Sequence, residues 1–243
     1  MELISIIMPC YNMEHYLYKS VSSVLQQSYP CWELLIIDDG SCDSSPSILR
    51  QLAKQDARIK PIFLEQNSGI ANARNAGIRS AQGTFIAFLD SDDLWKPTKL
   101  EKQLAFMQTY GIDFSYCSFV RVREDGTYID TKKAPRQLNY QELLKKNHIG
   151  CLTVMLNRSH LPQMEMPQIK HEDYATWLFL LREYHLTAYG IQEPLASYVV
   201  RNGSVSRNKF RSLLWIYQIY TRQEKLPPVV SVLFLLRWFL RSI

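Results

Sequence analysis

The stretch FLDSDDLWKP, Phe88 to Pro97, places three acids within four residues, Asp90, Asp92 and Asp93, directly after the apolar run TFIAF. Carboxylates crowded at the end of a buried strand are costly unless a cation or a donor-rich ligand balances them. A hard divalent cation takes oxygen ligands and keeps positions open for phosphate oxygens. Asp90 and Asp92 are therefore candidates to hold a metal that in turn holds a diphosphate. The plainer alternative is a set of loop charges and helix caps. A second acidic pair, Asp38 and Asp39 in DDGS, also closes an apolar run and favours the metal reading. A third set, His171, Glu172 and Asp173 in KHEDYATW, opens an apolar helix. There the acids could face a cleft, or simply suit the positive end of the helix dipole. A donor-rich stretch, YVVRNGSVSRNK, carries Arg201, Ser204, Ser206 and Arg207 around Gly203. It suits a lid over phosphates and equally a solvated basic turn. Neither GxGxxG after the first strand nor GxxxxGK[ST] is present, so a glycine-rich phosphate cradle is excluded.

These residues need elements to position them. LISIIM (3–8), ELLIID (33–38), KPIFLE (60–65) and TFIAFLD (84–90) read as strands. Between and after them, 14–27, 45–55, 70–81 and 97–110 carry apolar residues at helical spacing. Ser44 or Ser45 is the expected cap of the second helix, and Gly83 the expected stop after the third. Apolar strands alternating with helices predict a parallel sheet covered on both faces. In such sheets ligands bind beyond the carboxyl ends of the strands, which is where PCYN, DDGS and DSDD fall. The second half predicts a hairpin over 113–130 with an Asp-Gly turn, a short helix at YQELLKKN, strands at 151–156 and 194–200, and a helix over 172–184. No internal repeat or low-complexity linker interrupts it.

Length and composition suit one α/β domain with an appendage: 243 residues, 47% apolar and 21% charged. Five cysteines without zinc spacing point to a reducing compartment. No signal peptide and no spanning helix is expected. The net charge of +5 is uneven: from Arg201 onward there are eight basic residues and one acid, against 20 and 22 before it. The body is near −2 and the tail near +7, which suggests an anionic partner for the tail.

Three segments, SIIMPCYNMEHYLYKSVSSVLQQSYPCWELLIIDDGSCDSS, NSGIANARNAGIRSAQGTFIAFLDSDDLW and HEDYATWL, closely resemble the inverting bacterial glycosyltransferases of family 2 with the GT-A fold. The match covers about residues 3–110 and 150–206. The resemblance implies an α/β, Rossmann-like nucleotide-diphospho-sugar transferase sheet with helices on both faces, over 1–208. Residues 1–110 would form the nucleotide-sugar half and 111–208 the acceptor half, followed by a basic, apolar helical extension at 209–243. It implies that Pro9 and Tyr11 line the base of the nucleotide, with Tyr11 stacking near a uracil and Asp39 accepting from the ring N–H. Asn67, Gly69 and Arg74 would form the wall beside the nucleoside, although Arg74 could instead pair with a structural carboxylate. Asp90, Ser91 and Asp92 would contact the donor, Asp92 being the metal ligand and Asp90 a further ligand or a ribose contact, with Mn²⁺ or Mg²⁺ as cofactor. Arg201 and Ser206 would close over the phosphates. Asp173 would be the base that deprotonates the attacking hydroxyl, with Glu172 and His171 on the acceptor side.

The expected activity is metal-dependent, inverting transfer from a nucleotide-diphospho-sugar, UDP-linked by expectation, to a lipid-linked or lipopolysaccharide or capsule glycan. A sugar nucleotidyltransferase is the rival enzyme, but it would want a basic, Gly-rich triphosphate loop where IIMPCYN stands. An inactive nucleotide-sugar-binding subunit is the rival non-enzyme. The tail segment VVSVLFLLRWFLRSI is too short and too charged to span a bilayer. With Arg237, Arg241 and Trp238 it suits an anionic membrane interface, or else packing on the body or a second subunit. The expectation is a cytoplasmic protein, peripheral on the inner face of the cell membrane, with no nucleic-acid partner and a homodimer left open.

Overall fold

The computed structural model describes residues 1–162, 164–201 and 209–240. Two strands, β1 (Ile4–Cys10) and β2 (Trp32–Asp38), are buried at every position. They pair in parallel, with Cys10 opposite Asp38 at their carboxyl ends. β3 (Ile59–Phe63) extends the sheet beside β2, and β4 (Phe85–Phe88) lies parallel to β1 on the other side. This gives the order β3-β2-β1-β4. The side chains alternate as a pleat requires. Ile4, Ile6 and Met8 share a core with α1 (Leu17–Leu25), α2 (Ser45–Gln55) and α4 (Lys99–Tyr110). Ile7, Leu35 and Ile37 face α3 (Ile70–Ser80) on the opposite side.

Beyond β4 the sheet becomes mixed. β9 (Met155–Asn157) runs antiparallel between β4 and β6 (Phe114–Arg123). β6 is parallel to the long β10 (Ala188–Val200) and forms the expected hairpin with β7 (Tyr128–Lys132). Short strands β5 (Leu94–Trp95) and β8 (Gln137–Leu138) pair antiparallel with β10. α5 (Tyr140–Lys145) opens with a capping box between Asn139 and Glu142. α6 (Glu172–Glu183) packs Trp177 against Phe88 and Phe114, on the same side of the sheet as α3.

Four local expectations need correction. The strand expected over 151–156 begins only at Met155; Cys151–Thr153 form a 3₁₀ turn. The indole of Trp95 donates to the Leu152 carbonyl at 2.8 Å and Gln103 to the Thr153 carbonyl at 3.0 Å, so these carbonyls are taken by side chains rather than a ladder. β10 starts six residues earlier than expected, because Pro194 is absorbed at a register shift instead of ending the strand. Ser44 occupies the α2 cap position, but its side chain makes no cap bond. The amides of Ser44 and Ser45 are bonded instead by Glu14 and Asp43, both at 2.9 Å. Gly83 is not a helix stop, since α3 ends at Ser80. It is glycine because a Cβ there would stand 2.5 Å from the Leu3 carbonyl oxygen.

The C-terminal segment folds as α7 (Lys209–Gln218), a π-helical turn (Ile219–Gln223) and α8 (Pro228–Leu240). Ile216, Ile219 and Tyr220 are buried in the core that contains α6. A buried polar knot fastens the junction. The hydroxyls of Tyr174 and Tyr220 lie 2.9 Å apart and reach the carbonyls of Leu143 and Leu144. Glu224 accepts from Tyr140 at 2.8 Å and from Arg182 at 2.6 Å. Among the described residues, no helix is long and apolar enough to cross a membrane.

Candidate active site

The carboxyl ends of β1, β2 and β4 present their loops on one edge of the sheet. The segment after β1 and the segment after β2 are bonded to each other. The Asn12 side chain accepts from the Cys42 amide at 2.9 Å, and the Asn12 amide donates to Ser41 Oγ at 2.9 Å. The Met13 amide donates to Ser45 Oγ at 2.8 Å, and the Glu14 amide to Asp43 at 3.1 Å. Pro9 is buried in β1, and Tyr11 stands 42% exposed at its end. Asp39 is buried and accepts from the Ser68 amide (2.8 Å), the Ser68 hydroxyl (2.9 Å) and the Gly69 amide (2.8 Å). Asp39 therefore fixes the loop that starts α3. Gly69, at φ 92°, takes a conformation open to glycine and strained for other residues. Asn67 is exposed on that loop.

The DSDD turn follows β4. The Asp93 amide donates to the Asp90 carbonyl at 3.0 Å, and Ser20 of α1 donates its hydroxyl to the carbonyls of Ser91 and Asp93, both at 2.8 Å. Ser91 is buried. Asp93 is buried too; it accepts from the Val199 amide at 2.8 Å, while its Oδ2 has no partner among the described residues. Asp92 pairs with Arg201 Nε at 2.6 Å, and Arg201 also lies over the Tyr16 ring at 5.0 Å. Ser206, like Ser204 and Arg207, lies outside the described residues, so of the four donors named in that segment Arg201 alone is placed. It meets the DSDD turn.

Arg74 is the centre of the arrangement. α3 delivers its guanidinium, 2% exposed, between two carboxylates. Nη2 meets Asp90 at 2.5 Å and Nη1 forms a short bond with Glu172, the first residue of α6. The two readings of Arg74 left open by the sequence meet here: it pairs with carboxylates, and these carboxylates are the ones expected in the site. Burial alone would pull Arg74 down, but Asp90, Cys151, Glu172 and Asp173 hold it well above its ordinary value. Asp173 is half-buried beside Glu172. Burial pushes both carboxyls up, with Arg74 opposing. His171, at φ 58°, precedes them; burial lowers its pKa and favours the neutral ring.

The same balance describes the DSDD turn. Burial, then the neighbouring carboxylates, raise Asp92 and Asp93 even with Arg201 close by. Among the described residues, three carboxylates there meet two guanidiniums, one of them shared with Glu172, and Asp93 Oδ2 has no partner. Among the described residues no group of three His, Cys, Asp or Glu side chains forms a metal cage. Two carboxylates without a third protein ligand fit Mg²⁺ or Mn²⁺, which complete their shells with water and phosphate oxygens. Sequence reasoning did not find Glu14, Asp43 or Ser20, nor the bonds Asn12 makes, nor the unpartnered Asp93 oxygen. The motif residues were visible; the partners that hold their loops lie about 30 or 70 residues away in the chain and carry no local signal.

A parallel β3-β2-β1-β4 half joined to a mixed half, with an acidic turn after β4 facing a second acidic pair on a helix, is the architecture of a GT-A glycosyltransferase. Staphylococcus aureus TarS, residues 1–349 in complex with UDP-GlcNAc, superposes with a TM-score of 0.73 at 19% identity, over 97% of this chain and 70% of that one. The chain belongs to glycosyl transferase family 2, whose model matches residues 5–163. It is 46% identical over 226 residues to Bacillus subtilis TuaG, a protein named for teichuronic acid biosynthesis, covering 92% of this chain and 89% of TuaG. It is 41% identical over 211 residues to Escherichia coli WfgD, a UDP-Glc:α-D-GlcNAc-diphosphoundecaprenol β-1,3-glucosyltransferase, covering 87% and 82%.

Proposed function

We propose that this glycosyltransferase transfers a hexose from a UDP-sugar, with inversion, to a sugar carried on a lipid diphosphate. One observation carries the reading: a single buried guanidinium, Arg74, joins Asp90 of the donor-side turn to Glu172 of the acceptor-side helix. Inversion needs a base on the face opposite the leaving diphosphate, and that bridge holds a second carboxylate set, Glu172 with Asp173, next to the first. Tyr11 and Asp39, with Asn67 and Gly69, flank the nucleoside; Asp39 also keeps their loop in place. Asp90 and Asp92 would hold Mn²⁺ or Mg²⁺, which would offset the charge developing on the diphosphate. Arg201, already beside Asp92, is placed to reach the same phosphates. Asp173 takes the proton of the attacking hydroxyl, and its raised pKa moves it towards the range suited to a base at neutral pH. The similarity to WfgD supports UDP-glucose as first donor and an α-GlcNAc diphospholipid as first acceptor.

The test is a panel of nucleotide sugars against that acceptor, followed by product stereochemistry. Excess chelator should abolish transfer and Mn²⁺ should restore it; full turnover in chelator would remove the metal from the reading. Outward-facing Val229, Val232, Leu233 and Leu236, all exposed, form one stripe along α8. This stripe supports peripheral binding to the membrane that holds the acceptor. Arg241 lies outside the described residues, whereas Arg237 is exposed on α8.

A further inference from the structure

The line of contacts from Asp90 through Arg74 and Glu172 continues past α6. His171, adjacent to Glu172, lays its ring against the indole of Trp215 on α7, with centroids 5.5 Å apart and planes at 65°. His171 Nε2 is buried without a hydrogen-bond partner among the described residues, so the indole contact, not a bond to that nitrogen, orients the ring. Trp215 differs from three other tryptophans in the chain. Trp32, Trp95 and Trp177 are 2%, 4% and 0% exposed, whereas Trp215 is half-buried. Its helix already has a buried anchor in Ile216. Trp215 thus keeps part of its surface open, against the residue that precedes Glu172 and Asp173. An acceptor whose hydroxyl gives its proton to Asp173 must stand near this start of α6.

An aromatic face is electron-rich and apolar. It suits the C–H face of a pyranose whose hydroxyls are equatorial, and it suits poorly a face carrying an axial hydroxyl. We infer that Trp215, held against His171, is the platform for the terminal sugar of the acceptor and selects for equatorial configuration. This inference rests on the transferase reading above, and it draws the C-terminal α7 into the active site.

The test compares Trp215→Ala and Trp215→Phe with wild type, using GlcNAc and GalNAc α-diphosphates of a ten-carbon prenol. With UDP-glucose fixed, Trp215→Ala should raise the acceptor KM by about tenfold or more and leave the donor KM unchanged. Trp215→Phe should recover most of that loss. The preference for GlcNAc over GalNAc should shrink in the alanine variant. Calorimetric titration of the GlcNAc acceptor in the presence of UDP gives a reading independent of turnover. Equal acceptor affinity in wild type and Trp215→Ala would overturn the platform even if transfer proceeds. Equal losses of thermal stability and kcat in both variants, with KM unmoved, would make Trp215 structural. Acceptor binding that depends on Trp215 without any transfer would leave the platform standing and overturn the activity; a wild type that binds no acceptor would overturn both.

Discussion

In residues 1–110, the half proposed to bind the donor, loops are held by hydrogen bonds between strand ends. Asn12, Glu14, Asp39 and Asp43 each bond backbone amides from another segment, and Ser20 fixes the DSDD turn through two carbonyls. In residues 111–208, proposed to bind the acceptor, and in the C-terminal helices, positions are set by aromatic packing and a buried polar knot. Trp177 meets Phe88 and Phe114, His171 meets Trp215, and Tyr174, Tyr220, Glu224 and Arg182 tie α6 to the tail. The first method gives a nucleotide a fixed template of donors and acceptors. The second builds an apolar, aromatic wall around α6 and its start. One guanidinium spans the two, and a buried lysine lies on their other seam.

Breaking that guanidinium should have the largest effect. Arg74→Met leaves Asp90 and Glu172 facing each other without a cation. Removing one partner of a buried pair costs about 3–5 kcal/mol. For a chain of this size that is a fall on the order of 10 °C in Tm, read by differential scanning calorimetry. Arg74→Lys should recover only part, because an ammonium cannot fork to both carboxylates. Adding Glu172→Gln to Arg74→Met should also recover part. A Tm within a degree or two of wild type in Arg74→Met would show that the halves hold together without the bridge.

Asp173→Asn separates the halves chemically. The amide keeps the shape and loses the base, so kcat should fall by at least about 10²-fold. Binding of UDP, measured by calorimetry, should stay near wild type, since the residues that bond the donor loops are untouched. A variant with wild-type turnover, or one impaired only in nucleotide binding, would remove Asp173 from the base role.

The same contrast explains what could be read before the structure was known. The donor half was readable because each strand end carries its own polar motif and each strand its own apolar run. Asp90, Asp92 and Asp39 are therefore conspicuous one at a time. The acceptor half was partly hidden. The 3₁₀ turn at Cys151–Thr153 depends on Trp95 and Gln103, from elements about 50 residues earlier. Pro194 reads as a strand boundary unless the bulge against β6 is seen. The tail could be read either as a membrane device or as a segment packed on the body or a second subunit, because nothing local reveals that Tyr220 bonds Tyr174 or that Trp215 reaches His171.

Lys99 tests the seam by pH. It is fully buried in α4, donates to Gln103 at 2.8 Å and lies 4.2 Å from the centre of the Trp95 ring. Gln103 in turn donates to Ser115 of β6 and to the Thr153 carbonyl, joining the halves. Burial lowers the Lys99 pKa from 10.5 to about 8. Between those values the unfolded chain binds a proton that the folded chain does not, so this group makes stability rise with pH over that window. At about 1.4 kcal/mol per unit the rise is on the order of 3 kcal/mol. Urea unfolding at pH 7.5, 8.5 and 9.5 should show this component in wild type and not in Lys99→Met. Identical slopes would mean that the lysine is not desolvated at the seam.

The smallest effect on chemistry should come from the outer stripe of α8. Its inner face is committed: Phe234 packs on Tyr220 at 6.0 Å, and Ser231 is fully buried. Deleting the helix would uncover that core and confuse folding with membrane binding. The outer face offers a cleaner substitution, because Val232 and Leu233 are 45% and 55% exposed. Val232→Glu with Leu233→Glu leaves the buried side intact and adds two negative charges to a tail rich in arginine and lysine. Each basic residue near an anionic surface contributes on the order of 1 kcal/mol, so the wild type should co-sediment with phosphatidylglycerol vesicles at low salt and release at high salt. The double variant should stay in the supernatant at both, with Tm and transfer to a water-soluble acceptor unchanged and transfer to a vesicle-embedded acceptor reduced. Equal sedimentation of the two proteins would assign membrane binding to another surface; no sedimentation of either would leave the stripe to a protein partner, and the proposed transfer to a lipid-linked acceptor would then depend on that partner.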